Sequence, residues 1–251
     1  MRVCVFVDGE NLRFAICDLY TSTFDRRDYL PKEADWGGLY DSIVREATGD
    51  TGKRLRTYWY VTQSFDAHPR PLRKKDRTDE GIHGWKIRNK YLLKDELTGR
   101  SESDQIARLR ELQDELDREY NKIRSRFDGF TVLQNGISKK HSAIEFRRSG
   151  TISYNLLEKR FGQEKTVDVN LAVDMVTLSN NYDLAIIVSG DQDYVPAAQA
   201  VKNMGKQVVN VAFKARSGKL LPGGAKQLNQ TTDWSTELEW DNFREFLRIP
   251  A

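Results

Sequence analysis

The chain has 251 residues, of which 39% are hydrophobic and 31% are charged, and its mean hydropathy is −0.65. These values predict a folded, water-soluble protein and exclude a chain that is disordered throughout. No apolar run approaches the roughly 20 residues of a membrane helix. The N-terminal stretch also reaches the acidic Asp8 before a signal-peptide core can form. We therefore expect no membrane association and a cytoplasmic location.

Charge and cysteine content narrow the classes of function further. The net charge of +3 and the isoelectric point of about 8.7 permit nucleic-acid binding without requiring it. The two cysteines, Cys4 and Cys17, lie in an apolar strand pattern and a helix pattern, so they predict neither a disulfide framework nor a zinc site.

The first 62 residues predict two strands and two helices. Residues 2–7 form a short apolar run that is typical of a strand buried on both faces. A helix is predicted over about 11–20, and a second over 36–47, closed by Gly49. Residues 55–62 are rich in β-branched and aromatic side chains and predict a second strand.

The middle of the chain, residues 63–164, is less regular. Residues 67–91 contain prolines and many basic side chains and predict an exposed basic loop. Apolar residues recur every three or four positions over 103–127, which predicts a long amphipathic helix. A short strand is expected at 130–133, and a hairpin that turns at Ser149 and Gly150 is expected over 143–154.

The last third alternates regularly between helices and strands: a helix over 166–178, a strand over 184–189, a helix over 193–204 and a strand over 207–213. This alternation is the signature of parallel strands joined by helical crossovers. A helical tail is expected over 216–251. We predict a single α/β domain with a Rossmann-like open parallel sheet, flanked by helices and interrupted by a helical and basic insertion at 63–164.

Acidic residues follow two of the predicted strands. Asp8 comes directly after the first strand, and Asp191 and Asp193 come directly after the strand at 184–189. The carboxyl ends of parallel strands line the crevice where ligands bind, and Asp168 at the start of the preceding helix can point to the same edge. Clustered carboxylates repel each other unless a cation lies among them, and Mg²⁺ or Mn²⁺ prefers such oxygen ligands. The pattern therefore favours metal-dependent hydrolysis of a phosphodiester.

Three segments carry a family resemblance: VFVDGENL, KTVDVNLAVDMV and YDLAIIVSGDQDYVPAAQAVKNMGKQVVNVAF. Together they resemble the NYN domain, a branch of the PIN-like metal-dependent ribonucleases, over about residues 1–20 and 165–213. The resemblance implies a catalytic metal pocket, holding Mg²⁺ or Mn²⁺, that is formed by Asp8, Asp168, Asp191 and Asp193. It also implies that Asn11 positions water or phosphate beside Asp8 and that Asp174 supports the pocket.

Basic residues suggest where RNA would bind. Residues 70–90 hold eight lysines and arginines against three acidic residues, with Trp85 and Tyr91 nearby. Cations interleaved with aromatic rings suit single-stranded RNA, although a solvated loop is the competing interpretation. The candidate RNA-binding residues are Arg73, Lys74, Lys75, Arg77, Lys86, Arg88 and Lys165. The long helix at 103–127 is nearly balanced in charge and is a candidate for contact with a protein partner or a second copy.

Two alternatives to a ribonuclease stay open. A phosphatase of the haloacid-dehalogenase kind would use Asp8 as a covalent nucleophile, but Glu10 and the pair Val195 and Pro196 depart from that pattern. A catalytically inactive module could keep the fold and only bind RNA or protein. The full set of strand-end acids favours the nuclease over both.

Overall fold

The computed structural model describes residues 1–20, 31, 33–214, 217–221 and 226–248, without the side chains at positions 165, 220, 221, 240 and 242. The chain divides into two compact units. The first comprises Met1–Gln63, Val132–Gly150 and Lys165–Ala251, and the second comprises Ser64–Thr131 and Thr151–Glu164.

The described helices and strands follow one another along the chain in an irregular alternation. The N-terminal half contains β1 Arg2–Asp8, α1 Gly9–Leu19, α2 Trp36–Thr48, β2 Lys53–His68, α3 Asp79–Arg88, α4 Lys94–Leu97 and α5 Glu102–Lys140. The C-terminal half contains β3 Ile144–Asn155, β4 Arg160–Lys165, α6 Val167–Thr177, β5 Leu184–Val188, α7 Val195–Asn203, β6 Gln207–Lys214, β7 Leu220–Leu221, α8 Lys226–Thr231, β8 Trp234–Glu239 and α9 Trp240–Leu247. Strands β2 and β3 and helix α5 contribute residues to both units.

The first unit is built on a mostly parallel sheet. Its strands lie in the order β3-β2-β1-β5-β6-β7, and β8 also pairs with β6. Strand β1 pairs in parallel with β2 and with β5, and β5 and β8 each pair in parallel with β6. Val7 lies opposite Val188 in the register of β1 and β5, so both strands end at one edge of the sheet. The fold is therefore mixed α/β. The finer prediction of a Rossmann-like PIN sheet with an insertion stays a prediction.

Burial explains why the central strands are almost wholly apolar. In β1 every residue after Arg2 is buried, and all five residues of β5 are buried. On one face, Phe6 and Ile187 belong to a core cluster with Leu171 and Met175 of α6 and Val201 of α7. Central parallel strands covered on both faces lose their alternation of polar and apolar residues, as the sequence pattern predicted.

The second unit has a core of its own, in which α3 and α5 pack with the ends of β2 and β3. Its buried residues include Ile82, Trp85, Leu93 and a stripe along α5. That stripe is formed by Leu109, Leu112, Leu116 and Ile123, whose spacing places them on one side of the helix.

The prediction of an exposed basic loop at 67–91 was wrong. Strand β2 continues to His68, a 3-10 turn covers Lys74–Asp76, and α3 follows. The Thr78 side chain caps α3 by accepting a hydrogen bond of 3.1 Å from the Gly81 amide. Burial of Ile82 and Trp85 in the second unit stabilises this helix. The cluster of basic residues had led to the prediction of a loop instead.

Three other boundaries also need correction. The long helix runs over Glu102–Lys140, so no strand forms at 130–133. Residues 143–154 do not form a hairpin, because β3 passes straight through Ser149 and Gly150 and is followed by a separate strand, β4. The tail is not purely helical, since β8 adds a strand parallel to β6.

No helix within the described ranges is both long enough and apolar enough to span a membrane.

The first unit is tightly packed at the junction of β1 and α1. A Cβ atom added at Gly9 would lie 2.4 Å from the Tyr60 carbonyl oxygen and 2.9 Å from Val61 Cγ1. We expect Gly9→Ala to lower the free energy of unfolding by about 1–3 kcal/mol, measured by urea denaturation, because backbone must move to admit the methyl group.

Gly136→Ala on α5 is the matched control. A Cβ there meets no atom within 4 Å. It should raise the free energy of unfolding by roughly 0.5–1 kcal/mol, because alanine is the better helix former. Equal effects of the two substitutions would contradict the tight junction at Gly9.

Candidate active site

Asp8 is the buried centre of the site. It ends β1 and caps α1, where its Oδ1 accepts a hydrogen bond of 3.1 Å from the Asn11 amide. The Asn11 side-chain amide donates to Asp8 Oδ2. Only 2% of Asp8 is exposed. Asn11 therefore holds both oxygens of a carboxylate that solvent barely reaches.

The end of β5 brings a second segment to Asp8. Ser189 Oγ donates to Asp8 Oδ2 at 2.9 Å, and the Asp191 amide donates to Ser189 Oγ at 3.1 Å. The Gly190 amide lies 3.3 Å from Asn11 Oδ1 and donates to it. The two strand ends, far apart in sequence, thus meet at one edge of the sheet, and the predicted convergence of the Asp8 and Asp191 carboxylates stays a prediction.

Tyr194 joins Asp8 to Asp168. Its hydroxyl oxygen lies 3.2 Å from Asp8 Oδ2 and 2.7 Å from Asp168 Oδ1. The ring is fully buried, so the core holds the hydroxyl in place. A phenol carries one proton and can donate a full hydrogen bond to only one of the two carboxylates at a time. The two acids therefore share a donor that cannot satisfy both.

The surroundings of Asp8 disfavour its negative charge. The pKa of Asp8 is raised from 3.8 to about 6, chiefly by burial and also by the nearby Asp168 carboxylate, whereas hydrogen bonds from Asn11 and Ser189 oppose the rise. Burial and the same two carboxylates also raise the pKa of Tyr194, which keeps its phenol protonated. None of the described lysines or arginines forms an ion pair with Asp8 or Asp168. Neutral donors alone face this acidic pair.

Asp191 and Asp193 lie beside this pair in a 3-10 turn, Gln192–Tyr194. Asp191 Oδ1 accepts a hydrogen bond of 2.9 Å from the Asp193 amide, so its carboxylate caps the turn. Asp191 is half-buried and Asp193 is exposed. Their backbone is near Asp8 through Ser189, and none of the described hydrogen bonds joins their carboxylates to Asp8, Asp168 or Tyr194.

Asp174 has partners of a different kind. Its Oδ2 accepts a hydrogen bond of 2.8 Å from the Tyr60 hydroxyl and lies 4.0 Å from Arg147 Nε. None of the described hydrogen bonds or ion pairs joins Asp174 to Asp8, Asn11 or Tyr194. The prediction that Asp174 supports the same pocket gains no contact from the structure, because six helical positions turn it away from Asp168.

The site can be tested for its fit to a divalent cation. All of its candidate ligands are oxygen donors, which Mg²⁺ and Mn²⁺ prefer. Within the described ranges, however, no three His, Cys, Asp or Glu side chains are grouped as ligands of one ion. Mg²⁺ commonly uses only one or two carboxylates and keeps several waters. The buried Asp8 and half-buried Asp168, which lack a cationic partner, suit that mode.

The candidate RNA-binding residues divide by their contacts. Arg73, Lys74, Lys75 and Arg88 are exposed, and Lys86 is half-buried. Arg77 instead forms ion pairs with Asp114, at 2.6 Å, and with Asp117. Its guanidinium therefore ties together parts of the second unit. The side chain of Lys165 lies outside the described residues.

The roles of Ser189 and Tyr194 were not predicted from the sequence. Both residues lie in the segment SGDQDY, in which only the two aspartates were predicted to act in the site. Their positions could have indicated these roles, because each hydroxyl residue flanks a strand-end acid at the sheet edge where Asp8 was expected. Neutral hydroxyl donors carry no charge pattern, so composition gives no indication of them.

The raised pKa of Asp8 makes stability depend on pH. The folded state binds this proton more tightly than the unfolded state, so the free energy of unfolding falls as pH rises through about 4–6. At about 1.4 kcal/mol per pKa unit, the full effect is about 3 kcal/mol. We expect Asp8→Asn, in EDTA, to gain about 2 kcal/mol of this over the wild type between pH 4.5 and pH 7.5 in urea denaturation.

Asp183→Asn is the control for this measurement. Hydrogen bonds from the guanidinium and the backbone amide of Arg2 lower the pKa of Asp183 to about 2, so its carboxyl is ionised in both states across the same window. Its stability difference from the wild type should stay constant over that window. A constant difference for Asp8→Asn as well would show that Asp8 is not a strained buried acid.

Part of the chain matches a known protein family. Residues 108–223 match the family described as NYN domain. The match includes Asp168, Asp191 and Asp193, while Asp8 lies before it. A solved structure of a protein of unknown function from Vibrio parahaemolyticus is similar at 14% identity, with a TM-score of 0.43, over 94% of this chain and 91% of that one. The comparison with curated proteins found no match.

This match confirms the resemblance for the two later segments, which lie within it, whereas the segment around Asp8 lies outside it. Residues 108–223 therefore match the NYN domain family, which is generally nuclease-like.

Proposed function

We propose that the chain is a metal-dependent ribonuclease that hydrolyses RNA phosphodiester bonds. The observation that carries the proposal is the meeting of Asp8 and Asp168 at one buried hydroxyl, with neutral donors only. Two neighbouring carboxylates without a cationic side chain are poorly stabilised by the protein alone. A divalent cation supplied from solution would remove that imbalance, and NYN nucleases typically use one.

Each residue has a defined part in this proposal. Asp8 and Asp168 would hold the metal directly, and Asn11 and Ser189 fix the orientation of Asp8. Asp191 and Asp193 would accept hydrogen bonds from waters on a bound metal. A bound Mg²⁺ or Mn²⁺ would lower the pKa of a water and stabilise negative charge on the phosphodiester. The chain itself contributes rigid orientation at a sheet edge, where ligands reach the carboxyl ends of parallel strands.

The phosphatase alternative would need Asp8 as a covalent nucleophile. Oδ2 of Asp8 accepts from Asn11 and Ser189 and contacts Tyr194, while Oδ1 accepts from the Asn11 amide. Oδ1, with fewer described donors, is therefore the oxygen through which Asp8 would hold an ion. The departures from the phosphatase pattern at Glu10, Val195 and Pro196 disfavour that alternative. The inactive binding module differs from the nuclease only in activity, so the experiment below separates them.

We expect the purified chain to cut single-stranded or structured RNA when Mn²⁺ or Mg²⁺ is present and to stop in EDTA. Asp8→Asn and Asp168→Asn should each lower the cleavage rate roughly 100-fold or more, because each removes a direct ligand. Gel analysis of end-labelled RNA measures the rate. Circular dichroism checks that each variant is folded.

Asp128→Asn is the matched control, since its side chain is 74% exposed and a 4.0 Å ion pair with Arg124 is the one ion pair that involves it among the described residues. It should cut at the wild-type rate. Wild-type activity in Asp8→Asn would point to a contaminating nuclease, and loss of activity in Asp128→Asn would show that the losses are not specific to the site. Intact RNA under all metal conditions would instead favour the binding module.

Tyr194→Phe tests the shared hydroxyl separately. The buried ring stays, but the donor to Asp8 and Asp168 is lost. We expect the Kd for Mn²⁺, from calorimetry, to weaken by roughly 10- to 100-fold, as for other outer partners of metal ligands. The cleavage rate at saturating Mn²⁺ should fall much less. An unchanged Kd would show that Tyr194 only fills the core.

A further inference from the structure

The end of α3 and the turn after it form a cationic surface in the second unit. Residues 86–94 contain Lys86, Arg88, Lys90 and Lys94 and no acidic residue. Arg88, Lys90 and Lys94 are exposed, and none of the four forms an ion pair with any described residue. Elsewhere in this unit, arginines such as Arg77 and Arg108 are neutralised by two or more carboxylates. The charge at 86–94 is therefore available to an external anion.

Large apolar side chains lie among these cations and are exposed. Tyr91 is 84% exposed, Ile87 is 58% exposed and Leu92 is 42% exposed. Lys90 Nζ lies 4.9 Å from the centroid of the Tyr91 ring, which places a cation over its face. A ring that could be buried in the neighbouring core is instead presented to solvent beside positive charge.

The backbone holds Tyr91 in this position. On either side, Trp85 and Leu93 are buried in the core of the second unit. The Asn89 carbonyl accepts hydrogen bonds of 3.0 Å from the Leu92 amide and 3.1 Å from the Leu93 amide. The Asn89 side chain donates to the Trp85 carbonyl at 2.8 Å. Because the turn is anchored at both ends, a ligand that covers Tyr91 loses little free energy in ordering it.

We propose that this surface, formed by Ile87, Arg88, Lys90 and Tyr91, binds single-stranded RNA by stacking one base on the Tyr91 ring. Arg88 and Lys90 contact the flanking phosphates. Proteins that bind single strands combine such a cationic track with an aromatic platform. A duplex keeps its base faces stacked and offers none to the ring. The choice of RNA as the ligand rests on the proposed ribonuclease function.

An acidic protein segment is the competing ligand, and the exposed ring argues against it. Carboxylates would satisfy Arg88 and Lys90 but would not stack on the face of the exposed Tyr91 ring that lies away from Lys90. A nucleobase provides a flat π-face next to phosphates at the spacing of one nucleotide, so it uses both features at once.

The test measures binding of the full chain in EDTA, where cleavage does not occur, to a fluorescein-labelled ten-nucleotide uridine oligomer by anisotropy. We expect Tyr91→Ala to weaken the Kd about tenfold, which is the effect of losing one stacked base. Tyr91→Phe should stay within about twofold, because stacking needs the ring and not the hydroxyl. Val132→Ala removes a side chain that is 72% exposed elsewhere and should have no effect.

An abasic oligomer of the same length separates stacking from charge. It keeps the phosphates, so we expect weaker binding that Tyr91→Ala leaves unchanged. Arg88→Gln and Lys90→Gln should each reduce the slope of log K against log salt by roughly 0.7, the contribution of one phosphate contact on a single strand. These two effects together require both the base and the phosphate contacts.

Several results would overturn the proposal: no RNA binding, wild-type affinity in Tyr91→Ala, equal affinity for the abasic oligomer, or equal displacement by a polyglutamate peptide of matched charge. The cleavage assay with Mn²⁺ is scored separately. If RNA is cut while Tyr91→Ala binds as the wild type does, this surface fails and the nuclease stands. If RNA is bound through Tyr91 but never cut, only the nuclease fails.

Discussion

The burial of the Asp8 carboxylate at the end of β1 is the constraint on which the candidate site depends. An ionised carboxylate without a counter-charge is costly in a protein interior unless donors surround it. Asp8 receives such donors from its own helix, through Asn11, and from the end of β5, through Ser189. The donor from β5 reaches Asp8 only because β1 and β5 are parallel neighbours in register. The pairing of two apolar strands thus determines where an acid can be buried and what can surround it.

The hydroxyl donors of Ser189 and Tyr194 orient Asp8 without fixing its charge. A lysine or arginine beside Asp8 would fix its charge permanently and compete with any incoming cation. Ser189 and Tyr194 donate hydrogen bonds without adding charge, so Asp8 gains orientation and keeps its affinity for a cation or a proton. The raised pKa of Asp8 is the other consequence of the same choice, because neutral donors only partly offset the effect of burial. The hydrogen bonds that orient the Asp8 carboxylate therefore also leave its negative charge only partly stabilised.

Elements with a long sequence pattern were predicted more accurately than elements with a short one. Strands β1, β5 and β6 and helix α6 were predicted because apolar runs and helical spacing persist over whole elements, and the convergence of Asp8 with the segment at Asp191 followed from strand topology alone. Helix α3 was missed because only Ile82 and Trp85 anchor it among many polar residues, and burial in the second unit outweighs its weak local pattern. Tyr194 was missed for another reason, since nothing local shows that its hydroxyl reaches two carboxylates.

Carboxylates outside the candidate site have arginine or tyrosine partners in both units. In the second unit, Asp114 and Asp117 share the guanidinium of Arg77, and in the first unit Asp174 has both Tyr60 and Arg147. Arg77 and Arg147 thus supply positive charge to carboxylates in both units. Asp8 is more deeply buried than any of these carboxylates and has no such partner among the described residues. Neutral donors therefore orient Asp8 and Asp168 without supplying positive charge, and this arrangement suits the divalent cation of the proposed function.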